Sequence, residues 1–347
     1  ERAEANDAMS AITVGGDLVH YEVLGRGRPV VLVHGWIGSW RYWIPTMQHL
    51  HMRYRVYALD LFGYGDSGKN PRKYTIQQQV DMLDEFMDQL AIPKAAFIGH
   101  GLGAMILSEF AFKHQDDRVP RLMLISNPLF DIGNLEARRP MRLSKRNDDD
   151  RADPDSTMMS SSLEATIPSA GMMRQALLER AAVRNRSRGR ATSGEASSET
   201  SSNSSGNLLA QSIATTSISS MLDRCFDRKE IEFDKLNADV SNTDERVLMK
   251  SIAEFDAGKM LDTVNQLQIP TMMIHGQQDP LIPNPTDAVW NYVTDNSEQK
   301  VALSVEGVRH FPMLENERFG RFVLDFLEAR DITALEGIKG RWQRRSR

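Results

Sequence analysis

Cysteine is nearly absent. Cys225 is the only one in 347 residues, which rules out an internal disulfide and any cysteine metal cluster. Charge of one sign is also lacking: 42 Lys and Arg against 47 Asp and Glu give a net charge of −5 and a pI near 6.0. No basic excess argues for nucleic acid or an anionic membrane as partner. No apolar run reaches the ~20 residues that a membrane-crossing helix needs. The start, Glu1 to Ser10, is polar and acidic, with no apolar core of a signal peptide. A cytoplasmic location is the expectation. No internal repeat is evident.

What the chain does have is enough apolar residue, 41%, to bury a large core. Ile12–Val14 and Leu18–Leu24, around Gly15-Gly16-Asp17, read as a hairpin. Pro29–Val33 is a continuous apolar run, the pattern of a strand buried on both faces of a parallel sheet. Further strands are expected at Tyr54–Leu59, Ala95–Ile98, Leu122–Ile125, Thr271–Ile274 and Val301–Val305. Helical patterns fall at Trp40–Leu50, Ile76–Leu90, Leu102–His114, Asp287–Val293 and Arg318–Ala329. This alternation predicts an α/β fold with a doubly wound, mostly parallel sheet.

The alternation breaks after Phe130 and resumes near Phe255. Helical patterns at Met172–Val183, Leu208–Phe226 and Glu245–Lys259 fill the gap. The expected organisation is a core of residues 1–130 and 255–335 with an inserted helical cap at 131–254. Within the cap, residues 190–206 are Ser-rich and expected to be flexible. Residues 336–347 form a basic tail, most simply solvated. Met158, Met159, Met172, Met173 and Met221 could line an adaptable apolar site or be ordinary helix core.

The chemistry concentrates at strand ends. Gly99-His100-Gly101-Leu102-Gly103 stands between a strand and a helix, the context that gives a G-x-S-x-G nucleophile elbow its meaning. The central residue of that turn projects over a helix N-terminus, where free N–H groups favour developing negative charge. Here it is Gly101, so the turn is kept and the hydroxyl is missing. Val33-His34-Gly35-Trp36 ends an earlier strand. The backbone N–H groups of Trp36 and Leu102 are the expected oxyanion donors. Asp279, in Ile274-His275-Gly276-Gln277-Gln278-Asp279-Pro280, is placed to orient an imidazole. His310, after the last strand, is the expected general base. His34, His100, Ser126 and Asn127 complete the expected ligand pocket.

Gly99-x-Gly101-x-x-Ala104 also fits the dinucleotide fingerprint. That motif wants an acidic residue at the end of the next strand, and this strand ends in Ser126-Asn127. Asp116 and Asp117 come before it. Gly63-Tyr64-Gly65-Asp66-Ser67-Gly68 matches the same pattern, which shows how little the match means. No cofactor and no metal is expected.

Together the His34-Gly35-Trp36 loop with Ser39-Trp40-Arg41-Tyr42-Trp43, the Asp60-Leu61-Phe62-Gly63-Tyr64-Gly65-Asp66-Ser67 loop, the elbow, the Asp279 loop and the His310 loop resemble the cap-bearing α/β-hydrolase superfamily. The resemblance covers Ala11 to about Phe130 and Phe255 to Arg330. Its members include epoxide hydrolases, haloalkane dehalogenases and carboxylesterases. It implies that the elbow residue is Ser in esterases and Asp in the other two, and Gly101 can be neither. Three readings follow. The chain is a catalytically impaired hydrolase homologue that binds a small apolar ligand or a partner. Alternatively His310 and Asp279 form a dyad that activates water or takes a substrate proton. Or it is a serine ester hydrolase whose nucleophile has been replaced, so that Gly101→Ser should restore hydrolysis of small esters.

Overall fold

The continuous apolar runs pair side by side into one sheet. In a computed structural model, which describes residues 10–138, 207–215, 217–295, 297–332 and 335, eight strands lie in the order β1-β2-β4-β3-β5-β6-β7-β8. They are β1 (Ala11–Val14), β2 (Asp17–Leu24), β3 (Arg28–Val33), β4 (Tyr54–Leu59), β5 (Ala96–His100), β6 (Leu122–Ile125), β7 (Thr271–Gly276) and β8 (Lys300–Val305). Only the pairings of β1 with β2 and of β2 with β4 are antiparallel; every other pair is parallel. β5, β6 and β7 are buried at every position, as strands covered on both faces must be.

Helices α1 (Ile44–Leu50), α2 (Ile76–Gln89), α3 (Leu102–His114), α10 (Asp287–Thr294) and α12 (Phe319–Glu328) flank the sheet, with α11 (Pro312–Glu315) a single turn. α3 is buried almost all round, from Leu102 through Ser108. A helix without a polar face belongs inside, and α3 is packed between β5, α2 and α9 (Ala257–Gln266). Between β6 and β7 the described residues form α4 (Leu135–Arg138), α5 (Leu208–Ile213), α6 (Ile218–Cys225), α7 (Ile231–Ser241), α8 (Arg246–Ala253) and α9. Among the described residues none of this stretch joins the sheet.

Three helical expectations change in detail. Trp40–Leu50 is a 3₁₀ turn (Trp40–Trp43) followed by α1, because Pro45 suits a helix start and not its middle. Leu208–Phe226 is two helices. Ala214 turns left-handed at φ 48°, and the Thr215 hydroxyl accepts the Ser217 N–H at 3.2 Å, so a side chain replaces the helical acceptor. Glu245–Lys259 also divides, since Asp256 caps a new helix by accepting the Lys259 N–H at 2.8 Å. The expected helix Met172–Val183, Met158, Met159, Met172 and Met173, the Ser-rich segment 190–206 and the basic tail lie outside the described residues. Met221 is buried on α6. No described helix is long and apolar enough to cross a membrane.

Candidate functional site

The C-terminal ends of β3, β5, β6, β7 and β8 bring five loops together. At the end of β5 the chain turns through Gly101 at φ 52° and ψ −110°, a conformation that L side chains rarely adopt. The flanking glycines are required by contact. A Cβ on Gly99 would lie 2.6 Å from the Gly103 carbonyl oxygen, and one on Gly103 2.4 Å from that of Val33. Strand, sharp turn and helix are thus all present, packed against the β3 loop, with no side chain at the apex of the turn.

His310 and Asp279, the residues expected as base and acid, lie side by side. His310 Nδ1 lies 2.7 Å from Asp279 Oδ2, and neither side chain reaches solvent. Asp279 Oδ1 accepts the N–H groups of Leu281 at 2.8 Å and Ile282 at 3.0 Å. Burial alone would raise the Asp279 pKa. The His310 imidazole and these hydrogen bonds outweigh it and bring it down to about 2. Since Asp279 accepts at Nδ1, that nitrogen carries the proton and Nε2 is the basic one. Nε2 is buried and has no hydrogen-bond partner among the described residues. Arg309 steadies this loop: its guanidinium forks onto Glu230 at 2.8 and 2.9 Å, while Glu315 accepts the N–H groups of Arg309 and Phe311.

The two residues expected as oxyanion donors stand at the ends of β3 and β5. Leu102 is the first residue of α3 and has no carbonyl one turn earlier to donate to. The Trp36 N–H makes no backbone hydrogen bond. The Trp36 side chain was not part of the expectation. Its indole lies against Gly101, where a Cβ would sit 3.2 Å from Cε3 and from Cζ3. The ring is wholly buried, and its Nε1–H donates to Ser251 Oγ of α8 at 3.0 Å.

Of the four residues expected to wall a pocket, all are buried and all tie loops together. His34 Nδ1–H donates to the Gly35 carbonyl at 2.8 Å, and Nε2 accepts the Leu61 N–H at 3.0 Å. Gly35 N–H donates to the Tyr42 hydroxyl at 2.7 Å, Tyr42 donates to His100 Nδ1 at 3.0 Å, and His100 Nε2–H donates to the His310 carbonyl at 2.8 Å. A carbonyl only accepts, so the chain has one consistent direction. Burial drives the His100 pKa well down and the Tyr42 pKa well up, which keeps both neutral. Ser126 Oγ reaches the same His310 carbonyl at 3.4 Å, and Asn127 Nδ2 donates to Ser108 Oγ at 3.3 Å. Tyr42 is the hub that sequence reasoning missed; a tyrosine in an aromatic loop carries no local sign of such a role.

Ser108 and Cys225 are poor candidates for a nucleophile. Ser108 Oγ is spent on the Ala104 carbonyl at 2.8 Å, and burial raises the Cys225 thiol pKa well above its ordinary value. His20, Asp60 and Asp66 bring ligand-type atoms within 4.8 Å of one another. Asp60 already accepts from Trp40 N, Asp66 N and His20 Nδ1 at 2.9–3.1 Å. It braces the 3₁₀ turn and suits no metal ion.

A family model described as alpha/beta hydrolase fold matches residues 28–317. Among curated relatives, bifunctional epoxide hydrolase 2 of Rattus norvegicus is 33% identical over 120 residues, 33% of this chain and 21% of its own length. A putative carbamate hydrolase RutD of Caulobacter vibrioides is 35% identical over 124 residues, 34% of this chain and 46% of its own. The chain thus spans less than half the length of these relatives. Among solved structures, a hydrolase from Pseudomonas aeruginosa PA01 superimposes with a TM-score of 0.61 at 18% identity, over 93% of this chain and 100% of that one. An esterase from Exiguobacterium antarcticum gives 0.59 at 17%, over 92% and 100%. At these identities the structural likeness bears on fold alone.

Proposed function

The chain belongs to the α/β-hydrolase fold family, and within it we propose a hydrolase homologue without a covalent nucleophile, one that binds a small apolar molecule and has little or no ester hydrolysis. Gly101 carries the reading: it holds the backbone of a nucleophile elbow and has no atom that can attack a carbonyl. The indole of Trp36 pressed on that glycine supports it, because the space over the elbow is where a substrate's acyl group would have to sit. Residues 131–254 are read as the inserted cap, since α5–α8 interrupt the strand–helix alternation.

The test is an assay of the protein and of His310→Ala against p-nitrophenyl acetate and styrene oxide. Both should give rates near the uncatalysed background. A second reading is a His310–Asp279 dyad enzyme acting on water or a substrate proton. It is favoured by one observation, the buried and unpartnered Nε2 of a histidine held by an ionised carboxylate. Robust turnover that His310→Ala abolishes would establish this second reading and displace the first.

A further inference from the structure

The hydrolase centre is filled by its own side chains: Trp36 and His310 are wholly buried, and Leu102 is 1% exposed. A second concavity lies outside it, a groove of about 560 Å³ between α7 and the Trp40–Leu50 segment. One wall is Tyr42, Ile44 and Pro45; the other is Leu236 and Ala238 of α7, with Leu314 at the end. We propose that this groove is the ligand site of the protein, and that it takes a neutral, largely apolar small molecule. The inference rests on the non-hydrolytic binding reading above and gives the bound molecule a place.

Size, charge and connection each argue for it. The volume falls in the range of small-molecule pockets, about 300–1,000 Å³. The charges along its rim are matched. Arg41 is paired with Asp66 at 3.1 Å and with the buried Asp239 at 3.3 Å. Lys235 stands three residues from Glu232 on the same helix, one charge of each sign. The lining therefore carries no net charge to favour a ligand of either sign, while its apolar side chains suit a neutral one. Ile44 is 38% exposed, a large apolar side chain left facing the groove. The connection is Tyr42. Its ring walls the groove, while its hydroxyl accepts from Gly35 and donates to His100, the residues that precede Trp36 and Gly101. A molecule in the groove would thus press on the hub that fixes the elbow, and Trp43, whose ring is 5.1 Å from that of Tyr42, would report it.

The test titrates the full chain with the neutral probe N-phenyl-1-naphthylamine, following probe and tryptophan fluorescence. One saturable site of micromolar affinity is expected. Ala238→Trp adds an indole to an exposed position of the wall and should weaken binding at least tenfold. Ile44→Glu on the opposite wall should do the same, and Asp234→Trp, on α7 outside the groove, should not. Binding that neither wall variant disturbs, or no saturable binding at all, overturns the site. An anionic naphthalene sulfonate that binds tenfold tighter than the neutral probe overturns the ligand class. A dimer by sedimentation velocity that Ala238→Trp dissociates overturns the small-molecule occupant in favour of a second copy. The ester assay distinguishes the two levels: strong hydrolysis sinks the functional reading alone, while loss of the probe site sinks only this one.

Discussion

Gly101 is the position where a single methyl group tests the account most sharply. At φ 52° and ψ −110° a non-glycine residue pays roughly 1–3 kcal/mol of backbone strain. The stiffer unfolded chain of an alanine variant returns about 0.4–1 kcal/mol. The new Cβ also meets two Trp36 ring carbons at 3.2 Å, and the ring is tethered to Ser251, so it yields only with the loss or bending of that hydrogen bond. A net cost of about 1–2 kcal/mol follows for Gly101→Ala, which is a fall of roughly 2–8 °C in Tm for a large domain. Part of it is shared with Trp36. In a Trp36→Ala background the penalty of Gly101→Ala should shrink by about 0.5–1 kcal/mol, read from urea unfolding of the four proteins. The same cycle with Gly101→Ser adds an activity readout. Gly101→Ser alone should hydrolyse p-nitrophenyl acetate barely above background, because the indole covers the hydroxyl. Gly101→Ser with Trp36→Ala should hydrolyse it clearly, since the Trp36 backbone N–H survives the change. Gly101→Ala as stable as the parent, or Gly101→Ser as active with the indole as without it, would refute the reasoning.

Three further outcomes follow from the same geometry. Asp279 has its pKa lowered to about 2 against an ordinary value near 3.9, so its contribution, about 2 kcal/mol, is present above pH 4 and lost as pH falls toward 2. Asp279→Asn should flatten acid unfolding in that window. His275 is buried with both ring nitrogens unpartnered, and burial lowers its pKa to about 4. It therefore stays neutral in the fold while the unfolded chain binds a proton below pH 6.5, and stability should fall by about 2 kcal/mol from pH 7 to pH 5 on its account; His275→Phe should remove that share in urea titrations at the two pH values. Tyr42→Phe strands the Gly35 N–H and His100 Nδ1, and a loss of about 1–3 kcal/mol in unfolding free energy is expected, with probe binding in the groove retained because the ring remains.

The sheet was legible because its central strands are buried on both faces. Tyr54–Leu59 and Leu122–Ile125 read from the sequence at their observed limits, as does α3 from Leu102 to His114. Those segments are mostly apolar, with Arg55 the one charge in β4 and the polar residues of α3 gathered from Ser108 onward. α7 was missed because its apolar spacing, Phe233, Leu236 and Val240, is interleaved with the charges of Glu232, Asp234, Lys235 and Asp239. The break at Ala214 depends on a hydroxyl finding a nearby N–H, a local competition with little trace in composition. At the site, the acid and base were legible from their order along the chain. The hub at Tyr42, the Glu230–Arg309 fork and the indole on Gly101 were not, since each joins residues far apart in sequence.

An acid and a base kept in register beside an empty elbow invite the inference that they still work. The structure supplies a second reason for them to be there. Asp279 terminates two backbone N–H groups of its own loop, and without it those donors would be buried unpaired. The His310 carbonyl accepts from His100 and from Ser126, and so binds the last loop of the fold to the ends of β5 and β6. The imidazole fills the space between Asp279 and the rings of His100 and Phe311, whose centroids lie 4.5 and 5.2 Å away. An alanine at either position would cost the fold something even in a protein that never turned over a substrate. Glycine at the elbow removes backbone strain that outweighs its extra freedom in the unfolded chain. On the non-hydrolytic reading proposed above, a vacant elbow beside a retained pair is the pattern that stability alone predicts. For the non-hydrolytic reading the pair therefore carries less weight than Trp36, whose ring carbons a side chain at Gly101 would meet at 3.2 Å.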